Sequence, residues 1–388
     1  MSINRSKIIS FLVLTFFFIR SNDVACQNTS NKISVLGGLK YGPFAVGFSV
    51  LSSVDSSRRM SNGQYRPVQI GVWYPAQLSK EKMAYRNYVA LSANESDFHS
   101  TTDAERDDAI KAFKEFGISV GTPEKAMEQW ISMGMYASFN AVQQAGKYPI
   151  VIVAQGNYQS SADQAFLCEY VASHGFVVAT SPSPTRIVGP IRSNDDVLPT
   201  AMDQDADMNF ILSKIISNFH GDQRNIAVIA HSFGARSALV FIQQHPEVKA
   251  FVSLDGGIGN AIGKEWIEKF SAFKPQSIHT PILHFYQNID SAVVIPDFEI
   301  LKSLKNSQCT LILVNNMHHY YFSSVGFVAG AISDFSKNFD PDLTFKCQSY
   351  AYYTLQFLER HMMNTEAVKL DPLTISKLNA MTIKQEME

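Results

Sequence analysis

Residues 225–244 read NIAVIAHSFGARSALVFIQQ, and the hydrophobic period changes within them. Positions 226–230 are a short apolar run of the kind that forms a buried parallel strand, whereas Ala238, Leu239 and Ile242 fall at helical spacing. Between the two lies Ala230-His231-Ser232-Phe233-Gly234, a small-x-Ser-x-small turn. A serine nucleophile carried on a sharp strand-to-helix turn needs small flanking residues, because a side chain two positions away would strike the adjoining strand or helix. Alanine at 230 still fits that requirement. A helix N-cap serine would give the same local pattern, so the rest of the chain must decide.

Outward from this stretch, apolar runs alternate with helical patterns. Runs at 150–154, 176–180, 250–254, 282–286 and 310–314 read as strands, and helical spacing occurs at 162–174, 202–216 and 298–304. This alternation predicts a mostly parallel sheet with helices on both faces. Upstream, 44–51 and 68–74 read as an antiparallel pair, with Pro75 ending the second strand. Residues from about 79 to 147 carry more charge and helical spacing without a strong strand, and predict a helical insertion between early strands. A polar, proline-rich loop is expected at 181–199.

The composition suits a folded globular chain: 388 residues, 46% hydrophobic, 12% aromatic and a formal net charge of −2. That charge, with no basic stretch, argues against nucleic acid as a partner. Residues 1–26 combine Arg5 and Lys7, an apolar run at 8–19 and Val24-Ala25-Cys26, the pattern of a signal peptide cleaved before Gln27. Export to the periplasm or the medium is expected, with 27–388 as a single domain. Lipidation of Cys26 is the second reading, because Asp23 is unfavourable three residues before a lipidated cysteine; membrane attachment is expected only in that case. Cys168 falls in an apolar helical pattern and reads as a packing residue, while Cys309 and Cys347 are candidates for a disulfide in an oxidising compartment.

A serine hydroxyl needs a general base, and the base needs an acid to orient it. Downstream of Ser232 the chain offers His318 and His319 after the last strand run, and Asp255 and Asp290 after the two runs before it. Each pair leaves a choice open. An oxyanion hole requires two backbone N–H groups; Phe233 follows the serine directly, and Asn157 lies in the Gln155-Gly156-Asn157-Tyr158 loop after 150–154. Asp203, Asp205 and Asp207 read as acids near a helix start, and no metal, phosphate-loop or dinucleotide pattern stands out. No cofactor is expected.

Several stretches beyond the turn resemble the α/β-hydrolase superfamily, and in particular its dienelactone-hydrolase-like and platelet-activating-factor acetylhydrolase-like branch. They are 41–48 (YGPFAVGF), 66–75 (RPVQIGVWYP), 172–179 (ASHGFVVA), 226–235 and Leu254-Asp255. The resemblance spans about 36–335 and is vague at 79–146. It implies Ser232 as nucleophile, Asp255 as acid one strand earlier than in most α/β-hydrolases, and His319 as base, since His319-Tyr320-Tyr321-Phe322 matches a His-x-x-Phe pattern. Asp290 stands where the wider superfamily holds its acid. Ala230 replaces a usual glycine, and Gln155 stands where histidine is frequent. The expected function is an exported serine hydrolase of small-molecule or lipid esters; a peptidase of the same fold and an inactive binding protein are the alternatives. The sequence leaves the oligomeric state open.

Overall fold

Two long apolar runs separated by a polar turn fold into an antiparallel pair, β1 (Ala45–Arg59) and β2 (Tyr65–Ala76), with Ala45 opposite Ala76. The computed structural model describes residues 35–290, 294–336, 340–363 and 382–386. The signal-peptide expectation at 1–26, with Cys26, lies outside them. Pro75 does not end β2 as expected. On its second side β2 pairs with β5 (Val177–Thr180) through Gly71–Trp73, and Pro75 lies beyond that ladder, where its carbonyl accepts from the Gln144 N–H at 2.9 Å beside the Ala76–Gln143 bridge and its missing N–H interrupts no pairing with β5.

The insertion is helical, with α1 (Tyr85–Val89), α2 (Asp103–Ser119) and α3 (Glu124–Ser132). It ends, however, in a strand that the pattern did not predict, β3 (Ala137–Phe139), which pairs parallel with β1 at the sheet edge. Three residues are too few to show alternation. Both ends of the insertion meet one buried acid on α4 (Ala165–Ser173): Glu169 accepts hydrogen bonds from the Tyr88 hydroxyl at 2.6 Å, from the Tyr136 N–H at 2.7 Å and from the Ala137 N–H at 3.0 Å. Tyr88 in turn accepts from the Trp73 indole at 2.8 Å. Burial pushes the Glu169 carboxyl up to about 7 against the pull of these donors.

The expected alternation follows as β4 (Tyr148–Ala154), α4, β5, α5 (Thr185–Val188), α6 (Asn194–Asn218), β6 (Gly221–His231), α7 (Gly234–Gln244), β7 (Val248–Leu254), α8 (Ala261–Glu268), β8 (Ile282–Tyr286), α9 (Glu299–Ser303), β9 (Cys309–Val314), α10 (Ser324–Ala331), α11 (Leu343–Met362) and β10 (Thr382–Glu386). Strands β5, β4, β6, β7, β8 and β9 run parallel in that spatial order, with β2, β1 and β3 beyond β5 and β10 antiparallel beyond β9. From β4 the chain first winds outward to β5 and then returns to β6 on the other side. That reversal opens a crevice beyond the carboxyl ends of β4 and β6, the place where open α/β sheets bind ligands.

The expected loop at 181–199 is shorter than its prolines suggested. Ser193 caps α6 by accepting from Asp195 N–H while Asp196 reaches back to the Ser193 N–H at 3.1 Å, and the helix absorbs Pro199. Asp203, Asp205 and Asp207 are therefore internal to the helix and not near its start. Asp207 is buried between Arg66 and Arg58, each at 2.6 Å, and fastens α6 to the β1–β2 pair. One core, on one side of the sheet, holds Trp73, Tyr88, Phe166 and Tyr350; the other holds Met208, Ile211, Phe241 and Trp266. Helix α11 lies past the stretch of resemblance and contributes Tyr350, Leu355 and Leu358 to the first. Cys347 belongs to the first core and Cys309 to the second, so the sheet stands between them and both are free thiols. The expected disulfide does not form. Cys168 is buried in α4 as a packing residue.

Removing the Asp207 carboxylate leaves Arg66 as an uncompensated buried cation. Asp207→Ala is expected to lower unfolding free energy by about 3–5 kcal/mol, read from urea denaturation monitored by circular dichroism.

Candidate active site

Ser232 occupies the one-residue gap between β6 and the cap of α7, in left-handed backbone with φ +53°. A serine there is strained. Two backbone bonds hold it: its N–H donates to the Leu254 carbonyl at 3.2 Å, and its carbonyl accepts from the Gly257 N–H at 2.7 Å. Gly234 is obligatory, because a Cβ would lie 2.2 Å from the Ala154 carbonyl oxygen. Ala230 is fully buried in the second core, so its methyl group is accommodated.

The candidates divide cleanly. His319 Nε2 lies 2.8 Å from Ser232 Oγ, and its Nδ1 lies 2.6 Å from Asp255 Oδ2. Asp255 directly follows β7, is 3% exposed, and has φ +43°, which turns its carboxylate toward the imidazole. Asp290 and His318 do not reach the serine. Asp290 instead sits behind the histidine loop: one oxygen is 2.7 Å from His318 Nδ1, and the other accepts the His319 backbone N–H at 2.6 Å.

The loop after β4 approaches the serine closely enough that a Cβ on Gly156 would fall 3.0 Å from Ser232 Cβ. Its N–H groups are occupied with one exception. Gly156 donates to Gln159 Oε1 at 2.7 Å, Tyr158 to Thr185 Oγ1 at 2.8 Å and Gln159 to the Gly156 carbonyl at 3.1 Å. The Asn157 N–H has no acceptor among the described residues, and neither has that of Phe233. These are the two donors singled out from the sequence.

Sequence reasoning missed the supports of this site. Gln159 Oε1 also meets His231 Nδ1 at 2.9 Å, and His231 Nε2 lies 3.2 Å from the His319 carbonyl oxygen, with the two imidazoles stacked at 5.0 Å. The His231 side chain at the strand end thus stands between the Gly156 loop and the His319 loop, within hydrogen-bonding distance of each. Burial, and then the neighbouring His319, pull the His231 imidazole down to about 3, so the ring is neutral at physiological pH. Arg186 donates to Glu95 at 2.6 Å and to the Tyr158 carbonyl at 3.2 Å, which links the insertion to the same loop. The position of His231 within the small-x-Ser-x-small turn was the one available signal; Gln159, Glu95 and Arg186 meet the site only through loop geometry.

With this geometry in hand, comparison with known proteins is informative. A family model described as Chlorophyllase matches residues 136–284. Chlorophyllase type 0 of Chenopodium album is 24% identical over 151 residues, 36% of this chain and 43% of that protein. Cutinase 1 of Thermobifida cellulosilytica is 30% identical over 109 residues, 28% of this chain and 39% of that protein. The chain thus spans less than half the length of these curated relatives. A solved ferulic acid esterase from Streptomyces cinnamoneus superposes with a TM-score of 0.62 at 18% identity, covering 90% of this chain and 98% of that one. The chain has the α/β-hydrolase fold.

Two histidines near the site are buried and neutral, His231 and, on β8, His284, whose Nδ1 lies 2.9 Å from Ser253 Oγ and whose imidazole burial also lowers to about 3. An unfolded histidine takes up its proton near pH 6.5. The stability each contributes is complete above that pH and is lost as pH falls toward 3, by about 1.4 kcal/mol per pH unit and per histidine. Glu169, raised to about 7, acts in the opposite sense between about 7 and its unfolded value near 4.5, so a difference between proteins isolates the histidine. Between pH 6 and 4, His284→Phe should lose stability less steeply than wild type by about 1.4 kcal/mol per unit, read from urea midpoints at each pH.

Proposed function

We propose that this protein is a serine hydrolase of carboxylic esters that works through an acyl-enzyme. The observation that carries the reading is the chain of contacts Ser232–His319–Asp255, with both hydrogen bonds under 3 Å, beside two backbone N–H groups, of Asn157 and Phe233, that have no acceptor among the described residues. The likeness to proteins named chlorophyllase, cutinase and ferulic acid esterase supports the ester class.

In this reading His319 Nε2 takes the proton of Ser232 as Oγ bonds to the ester carbonyl carbon. Negative charge moves to the carbonyl oxygen, where the Asn157 and Phe233 N–H groups receive it. Asp255 fixes the tautomer with the proton on Nδ1 and stabilises the imidazolium. The imidazolium protonates the leaving alcohol, the tetrahedral intermediate collapses to the acyl-enzyme, and a water deprotonated by the same nitrogen releases the acid. No cofactor enters. Asp290 is the acid of the loop rather than of the ring, holding the His319 backbone in place. The N-terminal segment with Arg5, Lys7 and the apolar run to Ile19 supports export as the setting.

Fluorophosphonate labelling of wild type and its loss in Ser232→Ala are expected; absence of label on folded wild type overturns the reading in favour of a binding protein on the same fold. Asp255→Asn, which presents the wrong tautomer to the serine, should lower kcat on p-nitrophenyl butyrate by on the order of 10⁴, as in serine proteases. Asp290→Asn, which only loosens the loop, should cost no more than about 10². Equal losses in the two variants would reassign the acid.

A further inference from the structure

Arg236, in the first turn of α7, is a buried cation without a counter-ion. It is 8% exposed, and its guanidinium carbon stands 5.6 Å from the centre of the Phe233 ring. Its Nε reaches the Gly257 carbonyl only at 3.5 Å, and the plane lies so close to that glycine that a Cβ there would be 2.7 Å from Nε and 3.2 Å from Nη2. No carboxylate among the described residues pairs with it, in contrast to Arg58 and Arg66, which share Asp207, and Arg186, which holds Glu95. Nη1 and Nη2 have no acceptor among the described residues, and neither belongs to the buried polar atoms sealed from solvent.

Both neighbours belong to the reaction site. Phe233 carries one of the two free N–H groups, and the Gly257 N–H holds the Ser232 carbonyl. The location disfavours a cation twice over. Burial lowers the guanidinium to about 10 with no anion to raise it, and the start of α7 is the positive end of the helix. At neutral pH the group is nevertheless charged. A buried charge that the chain leaves unpaired is destabilising by itself.

We propose that Arg236 is the anion-recognition residue of the ester site, so that the substrate carries a free carboxylate in addition to its scissile ester. The inference rests on the ester-hydrolase reading. The Nη1–Nη2 edge of a guanidinium is a planar fork that matches a carboxylate. The Phe233 ring and the Gly257 backbone both border the guanidinium. The carboxylate sits on the acyl part or on the alcohol part of the ester, and the two placements are distinguished by the choice of substrate.

The experiment compares kcat/KM for 4-nitrophenyl hydrogen glutarate against 4-nitrophenyl valerate, and for 4-carboxyphenyl butyrate against phenyl butyrate. Wild type, Arg236→Met and Arg236→Lys are measured in parallel. Wild type is expected to favour one carboxylate ester over its neutral counterpart by about 10-fold or more, chiefly through KM, the range of a charge-assisted hydrogen-bond pair. Arg236→Met should bring that ratio to unity or below, and Arg236→Lys should retain part of it. Wild type that shows no such preference, or Arg236→Met that keeps it, overturns the proposal. Wild type that hydrolyses neutral and anionic esters alike not at all overturns the ester reading instead. The anion site is then judged by melting temperature: a rise with millimolar glutarate in wild type and not in Arg236→Met supports it, and no rise overturns it. Arg236→Met replaces an unpaired buried charge with an apolar side chain of similar length, and is expected to melt no lower than wild type.

Discussion

Around Ser232 the chain reverses from strand to helix within one residue, and the left-handed backbone that this requires is unfavourable by about 1–3 kcal/mol. It persists because neighbouring strands over-determine it. The β7 end accepts the serine N–H through Leu254, the loop beyond β7 supplies the Gly257 N–H to the serine carbonyl, and Gly234 lets the first turn of α7 press onto the Ala154 carbonyl of β4. Three parallel strands thus converge on one turn. Their carboxyl ends deliver the Gly156 loop, Ser232 and Asp255 side by side, which is why a sheet rather than a loop cluster sets the spacing of these groups.

Two carboxylates serve one histidine, and their division of labour follows from which part of His319 each touches. Asp255 contacts the ring nitrogen and so acts on tautomer and charge; Asp290 contacts the main chain and so acts on position. His231 and Gln159 complete the support from the opposite side. Because a neutral imidazole has a single N–H while His231 faces oxygens at both nitrogens, only one of those contacts is a hydrogen bond at a time. The Gly156 N–H secures Gln159 Oε1 regardless.

The sequence made the parallel sheet readable because its strands are continuous apolar runs, and the turn at Ser232 because the period changes there from strand to helix. Order along the chain then singled out Ser232, Asn157, Phe233 and the His318–His319 pair, and the resemblance to a His-x-x-Phe pattern favoured His319. The choice between Asp255 and Asp290 was not readable from spacing, since both follow a strand; the fold brings Asp255 to the His319 ring and Asp290 to the His319 backbone and the His318 ring. β3 is too short to show a period, α6 begins at a Ser193 cap hidden in a proline-rich stretch, and α11 lies beyond any recognisable motif. The Cys309–Cys347 expectation failed for a topological reason, as spacing says nothing about which side of a sheet a residue faces.

The Glu169 carboxylate gathers Tyr88 and the Tyr136–Ala137 backbone, and so clasps both ends of the insertion. Everything between those ends is, in polymer terms, a closed loop whose closure is already fixed. Doubling the length of such a loop adds only about 0.6 kcal/mol of entropy cost. The segment between those ends can therefore change length at modest entropic cost to the clasp itself, while its other ties to the frame run through Gln69 of β2, which donates to the Leu91 carbonyl and to Asn94, and through the Glu95–Arg186 pair. A single buried acid thus closes the insertion at its base, and the Gln69 and Arg186 contacts above it carry whatever the insertion passes on to β2 and to the Gly156 loop.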